Sequence, residues 1–159
     1  IASWESLKAD IEKFNEEDYQ NLRMHPTIGG EIIGRIQNLR DLAPLIHYHH
    51  ERFDGSGYPD RLAGEEIPIG ARVLALADSL DAMLTERPNR PGHELVNVMR
   101  EIKRCSGAQF DPAVVDAFFH VVAEKPASFF SSSNQSATTD MLLSTVGISS
   151  GRVKGMLSK

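Results

Sequence analysis

Apolar residues recur every three or four positions through most of this chain, so its first reading is helical. Ile28, Ile32, Ile36 and Leu39 form one such series and predict a helix ending near Leu39. Ahead of it, Asn15 and Asp18 have the spacing of an N-cap and an acidic N3 residue, with Phe14 and Tyr19 at the staple positions. A helix is therefore expected from about Glu16 to His25. Pro26 and the pair Gly29-Gly30 leave open whether the two helices are continuous. Asp41 can cap a third helix, with Pro44 in its first turn and Leu42, Leu45, Ile46 and His49 along one side. The stretch from Arg52 to Gly70, RFDGSGYPDRLAGEEIPIG, carries four Gly and two Pro without sustained periodicity. It reads as a long loop, a kind of segment that is often functional. Ala71 to Leu84 then reads as an apolar helix with Val73, Ala77, Leu80 and Leu84 as its core stripe. A helix from about His93 to Cys105 is expected to turn Leu95, Val98, Met99 and Ile102 inward and to end at Gly107. Asp111-Pro112 opens a last helix to about Glu124, burying Val114, Val115, Phe118 and Val122, with Pro126 as its stop.

From Ala127 to Thr139 the composition shifts to Ser, Asn, Gln and Thr, and residues 127–159 are expected to be a flexible linker and C-terminal tail. No internal repeat, strand ladder or sustained heptad interrupts this pattern. The expected class is all-α, a compact multi-helix bundle and not a coiled coil. With 159 residues, 41% of them hydrophobic and 25% charged, the chain has the proportions of one globular domain, which excludes wholesale disorder or a fibrous repeat. The net charge of −5 argues against a surface for DNA or RNA. It does not argue against a small anionic ligand whose charge a metal offsets. Cys105 is the single cysteine, which excludes an internal disulfide and a thiolate-rich zinc site. It fits a reducing compartment, and a cytoplasmic location is expected. No apolar run reaches the roughly 18 residues of a membrane span, so no membrane contact is expected from this segment. IASWESLKAD lacks a starting Met and the basic-then-apolar order of a signal peptide. A chain beginning at Ile1 fits a processed protein or an excerpt of a longer one.

Several polar residues stand apart from this helical pattern. His25 closes the first helix, and His47, His49 and His50 cluster at the end of the third. Asp78 and Asp81 lie one turn apart inside the most apolar helix, ALADSLDAML, where burial of an unpaired carboxylate would cost several kcal/mol. A metal site built from His25, His49, His50 and Asp78 explains them. Imidazole and carboxylate together suit Zn, Fe, Mn or Ni, and paired ions activate water and steady a phosphoryl group. Adjacent histidines reach one centre only where a helix ends, and Gly55 and Gly57 lie just beyond. Each residue also has a plainer reading: His25 as a helix cap, His47 as structural or surface, Asp78 as a hydrogen-bond acceptor, His93 and His120 as surface groups. Asp81 is read as orienting a ligand or the loop. Arg72 and Arg87 suit either phosphate oxygens or salt bridges.

The segment HHERFDGSGYP, His49 to Pro59, is more specific than any spacing, and it resembles the signature of HD-GYP domains. These are bacterial phosphodiesterases of the HD metal-dependent phosphohydrolase superfamily. The resemblance continues through Leu62 to Met83, LAGEEIPIGARVLALADSLDAM, and through Phe110 to Pro112; Arg23 to Ile33, RMHPTIGGEII, looks like the family's histidine-containing helix junction. It covers about residues 15–122, within an expected domain at 1–126. The resemblance implies a helical HD-superfamily bundle in which the long Gly/Pro-rich segment is an active-site loop. It places His25, His49, His50 and Asp78 on metal-ligand positions, with Asp78, His49 and His50 carrying catalysis. Arg72, Gly57, Tyr58 and Pro59 fall on the substrate side and Asp81 behind the ligands. It implies two or three divalent ions, Fe or Mn, and hydrolysis of cyclic di-GMP to pGpG or GMP, some relatives acting on cyclic GMP-AMP. It also implies signalling partners at the GYP loop and an upstream regulatory domain.

One departure accompanies the resemblance. The family's His-Asp pair, followed by Lys, belongs ahead of RMHP, yet residues 1–24 contain no histidine. Two expectations follow: the pair lies in sequence upstream of Ile1, the preferred reading, or the domain is a degenerate module that senses nucleotide or docks a partner.

Overall fold

The computed structural model describes residues 16–86 and 92–124. The elements within that range are α1 (Glu16–Gly34), a 3-10 helix (Gln37–Leu42), α2 (Ala43–His47), a 3-10 turn (Gly64–Glu66), α3 (Ile69–Leu84), α4 (Leu95–Arg104) and α5 (Pro112–Glu124). No β-sheet occurs among the described residues, only an isolated bridge between Ser106 and Phe110. The all-α bundle is the observed class.

The junction at Pro26 resolves as one helix. α1 runs unbroken through Pro26 and through Gly29-Gly30, and it ends at Gly34 with tightened bonds from Arg35 N–H to the Ile32 carbonyl and from Ile36 N–H to that of Ile33. The series Ile36 to Leu39 is therefore not α-helix but the entry to the 3-10 segment. Asp41 does not cap α2; Leu42 stands at that position without a side-chain cap, and Pro44 sits in the first turn as expected. α1 packs against α2, and α2 against α3.

The main core lies elsewhere, between α3, α4 and α5. Val98, Met99 and Ile102 of α4, Val114, Val115, Phe119 and Val122 of α5, and Phe110 ahead of α5 surround Leu76 of α3. Burial of such side chains supplies about 1.5–3 kcal/mol each. The inward faces expected for α4 and α5 are the observed ones, with Phe119 added. The expected stripe of α3 is observed only at Leu80. Val73 is 50% exposed, and Ala77 and Leu84 are exposed too. Leu76 and Met83 join Leu80 on the core side, spaced i, i+4 and i+7. Ile28, Ile32, Ile36 and Leu39 are likewise exposed, Ile32 by 57%.

Two features tie the layers together. A Cβ on Gly70 would lie 2.6 Å from Leu45, so the missing side chain lets α3 close on α2. At the other end, Asp111 accepts the Ala113 N–H (2.7 Å) at the start of α5 and also binds Arg72 of α3. That ion pair is inside the protein, with side chains 14% and 5% exposed. The lone thiol, Cys105, is half-buried beside Glu101; burial first, and the neighbouring carboxylate second, push its pKa up. No described helix is long and apolar enough to cross a membrane. Asn15, Arg87, Pro126 and the 127–159 segment lie outside the described residues.

Candidate metal centre

His25 projects from the middle of α1, and His49 and His50 follow the end of α2. The short α2 stops at His47 and the chain turns through Tyr48, His49 and His50, which releases the neighbouring rings from the roughly 100° separation of a regular helix. Because α1 packs on α2, the three rings meet. Their nitrogens lie within 4.8 Å of one another. His50 Nε2 is 3.1 Å from His25 Nε2, which is 3.4 Å from His49 Nε2.

The protonation of two of these rings follows from their far sides. His25 Nδ1 is 2.6 Å from the Leu22 carbonyl, and His49 Nδ1 is 2.6 Å from that of Ile46. A carbonyl only accepts, so each Nδ1 carries the proton and donates. In the neutral rings each Nε2 is then a bare lone pair, and the two lone pairs face one another. His50 itself is held neutral. Burial first, and then the charges of His49 and His25, push its pKa down to about 3. The facing lone pairs of His25 and His49 suit a cation between them. The two distances from His25, 3.1 and 3.4 Å, fit the same conclusion: metal–nitrogen bonds of about 2.1 Å, at tetrahedral or octahedral angles, set ligand nitrogens about 3.0–3.4 Å apart. The donor set fits a divalent ion, and His25 is exposed on the open side.

The loop after His50 folds back over this cluster. Tyr58 N–H donates to the His50 carbonyl (3.3 Å), and the Tyr58 ring stacks on His50 at 5.0 Å and 26°. The Arg23 guanidinium lies 4.7 Å from the Tyr58 ring, a cation–π contact that joins α1 to the loop. Gly57 makes the fold-back possible. A Cβ there would collide with Arg52 N and sit 2.6 Å from Glu51 Cα. Gly57→Ala is accordingly expected to force the loop off the His50 segment. The cost is about 1–3 kcal/mol of stability, read by urea unfolding, together with weaker Mn²⁺ binding; unchanged values of both would show that the close approach is dispensable. Glu51 is the residue that sequence reasoning missed. It is 3% exposed and its Oε1 accepts the Asp60 N–H at 2.7 Å, so it clamps the far end of the loop, while Oε2 is buried without a partner among the described residues. Its position beside the His-His pair was the available signal.

The other expected site residues are distributed as follows. His47 is half-buried, 3.8 Å from Asp60, and outside the cluster. Asp78 and Asp81 are both exposed, so the burial cost that singled them out does not apply. Asp78 is outside the three-histidine group, and Asp81 accepts from Thr85 at 3.3 Å near the end of α3. Arg72 is held by Asp111, its Nε buried without a described partner. Gly57 is buried, and Tyr58 and Pro59 are half-buried at the cluster's rim. His120 is exposed, as expected, but His93 is not a surface group: it is half-buried, with Nε2 buried and unpartnered among the described residues.

The structure is an all-α bundle whose histidines, converging from a helix middle and a helix end, can hold a divalent ion, and the HD domain family matches residues 5–114. The chain belongs to that family. Over part of its length it is similar, at moderate identity, to cyclic-di-GMP phosphodiesterases of the HD-GYP kind. It is 41% identical over 110 residues to "Cyclic di-GMP phosphodiesterase" of Thermotoga maritima, covering 68% of this chain and 30% of that protein. It is 40% identical over 119 residues to "Cyclic di-GMP phosphodiesterase response regulator RpfG" of Xanthomonas campestris pv. campestris, covering 74% and 32%. The crystal structure of a cyclic GMP-AMP specific phosphodiesterase of V. cholerae, V-cGAP3, superposes with a TM-score of 0.56 at 26% identity, over 91% of this chain and 33% of that one. The chain thus spans about a third of the length of these relatives.

Proposed function

We propose that this chain forms part of a metal-dependent phosphodiesterase that opens cyclic di-GMP to pGpG and, with a second cleavage, GMP. The observation that carries the reading is the convergence of the His25, His49 and His50 Nε2 atoms, with Nδ1 protons fixed on carbonyls at His25 and His49. Relatives whose names specify cyclic di-GMP support the substrate class. When bound, Fe or Mn ions supply Lewis-acid stabilisation of phosphoryl charge and lower the pKa of water toward neutrality.

The chain's own residues do the rest. His25, His49 and His50 present converging Nε2 atoms, and Asp78, exposed on α3 and outside that group, is assigned as the carboxylate that completes the set. Asp81 steadies that end of α3. Tyr58 and Pro59 form the rim against which a planar base packs, with Gly57 fixing the loop beneath them. Arg72 is assigned as the substrate-side cation; Asp111 engages its Nη1 and its Nε is buried, so a phosphate would meet Nη2. The loop is the surface assigned to a signalling partner.

The test is hydrolysis of cyclic di-GMP by the protein at its natural length, purified without oxygen and loaded with Fe²⁺ or Mn²⁺, with products separated by chromatography. Formation of pGpG or GMP, lost on chelation and on Asp78→Ala, is expected. Full metal loading with nucleotide bound and no product would replace the enzyme by a non-hydrolytic sensing module. Turnover of cyclic GMP-AMP alone would move the substrate.

A further inference from the structure

Pro26 lies inside α1, where a proline costs helix stability, about 3 kcal/mol relative to Ala. It is also among the most fully buried residues of the described chain. In an unbroken helix the N–H of residue 26 would donate to the carbonyl four residues earlier, that of Leu22. Proline has no N–H, so this carbonyl has no such partner. The Leu22 carbonyl is the one that His25 Nδ1 reaches, at 2.6 Å.

We infer that Pro26 is a positioning residue for His25: by leaving the Leu22 carbonyl open, it fixes the His25 proton on Nδ1 and aims Nε2 at His49 and His50. The arrangement at His49 is the same device made differently. There the Ile46 carbonyl is freed because α2 ends at His47, and His49 Nδ1 takes it at 2.6 Å. Both rings therefore dock on a carbonyl three residues back that the helical ladder does not use. At His49 the chain obtains this by stopping the helix. At His25 the helix continues for two more turns to Gly34, and a proline is the only residue type that opens the ladder without ending it. A hydrogen bond on the far nitrogen sets the tautomer and orientation of a ligating histidine.

This inference rests on the metal reading of the cluster, but its primary test needs neither metal nor substrate. Pro26→Ala and Pro26→Val each restore an N–H that competes for the Leu22 carbonyl. In the metal-free 159-residue chain, the His25 tautomer is read from long-range proton–nitrogen NMR correlations of the imidazole at a pH where it is neutral. Wild type is expected to show Nδ1–H almost entirely, and both variants a mixture with Nε2–H. Mn²⁺ affinity, followed by loss of the free-ion EPR signal, is expected to fall about 10–100-fold, the usual cost of losing a partner behind a ligand. Thermal stability should be unchanged or higher in at least one variant, which separates the effect from unfolding. A carbonyl has two lone pairs and can accept twice. If both variants keep His25 wholly as Nδ1–H with unchanged Mn²⁺ affinity, Pro26 has no positioning role. If wild type itself binds no Mn²⁺ while the tautomer shifts as expected, the positioning stands and the metal reading fails.

Discussion

Alanine in place of His49 is expected to abolish stoichiometric Mn²⁺ binding, weakening affinity by more than about 100-fold, beyond what loss of a partner behind a ligand costs. His49 supplies an Nε2 facing that of His25 at 3.4 Å, and its Nδ1 is already committed to the Ile46 carbonyl. Two imidazoles would remain, too few to hold a labile divalent ion against water. The metal-free protein should melt at or slightly above the wild-type temperature, because removing one of the two facing lone pairs relieves repulsion. Calorimetric titration with Mn²⁺ and a thermal melt of the same sample check both halves. His120→Ala is the matched control, since that ring is exposed and, among the described residues, binds the Asp116 carbonyl of its own helix. Tight binding retained by the His49 variant would move the metal elsewhere in the molecule.

The second large effect falls on stability. Asp111→Ala strips the Arg72 guanidinium of its partner inside the protein and removes the acceptor for the Ala113 N–H. Breaking a buried pair on one side costs about 3–5 kcal/mol, and the lost helix-start bond adds about 1 kcal/mol. For a domain of this size the melting temperature should fall by about 10 °C or more. The double replacement Arg72→Met with Asp111→Leu removes both charges and should recover most of the loss. A single variant that melts within 2 or 3 °C of wild type (roughly 1 kcal/mol) would mean that water reaches Arg72 and the pair is not desolvated. Because Arg72 joins α3 to the start of α5, this contact also sets where the exposed face of α3, with Asp78, is carried.

Legibility of the fold varied with how one-sided each helix is. α4 has a polar face rich in Arg, Glu and Lys, so its inward residues Val98, Met99 and Ile102 were readable from spacing. α3 is apolar nearly all round. Val73, Ala77, Leu80 and Leu84 form one acceptable stripe and Leu76, Leu80 and Met83 another, and periodicity cannot choose between them. The choice came from α4 and α5, which pack on the second stripe. Pro26 left the continuity of α1 open for a related reason: its ring removes a ladder bond, yet Pro26 is buried and the helix runs on through it. The burial argument for Asp78 and Asp81 failed with the first stripe of α3, because turning the helix put both carboxylates at the surface.

Local features lay in the order of residues itself: a mostly helical chain, a Gly/Pro-rich loop from Arg52 to Gly70, an Asp-Pro start to α5, and a His-His pair where a helix must end. These depend on contacts within a few positions, where side-chain period, proline and glycine act directly. The tertiary structure alone decided what meets across longer separations. It brought the Nε2 of His25 to those of His49 and His50, 24 and 25 residues away. It laid Tyr58 over His50, buried Glu51 as the clamp of the loop, and paired Arg72 with Asp111 across 39 residues. Such meetings depend on which faces of α1, α2 and α3 pack together, and packing is a property of several helices at once.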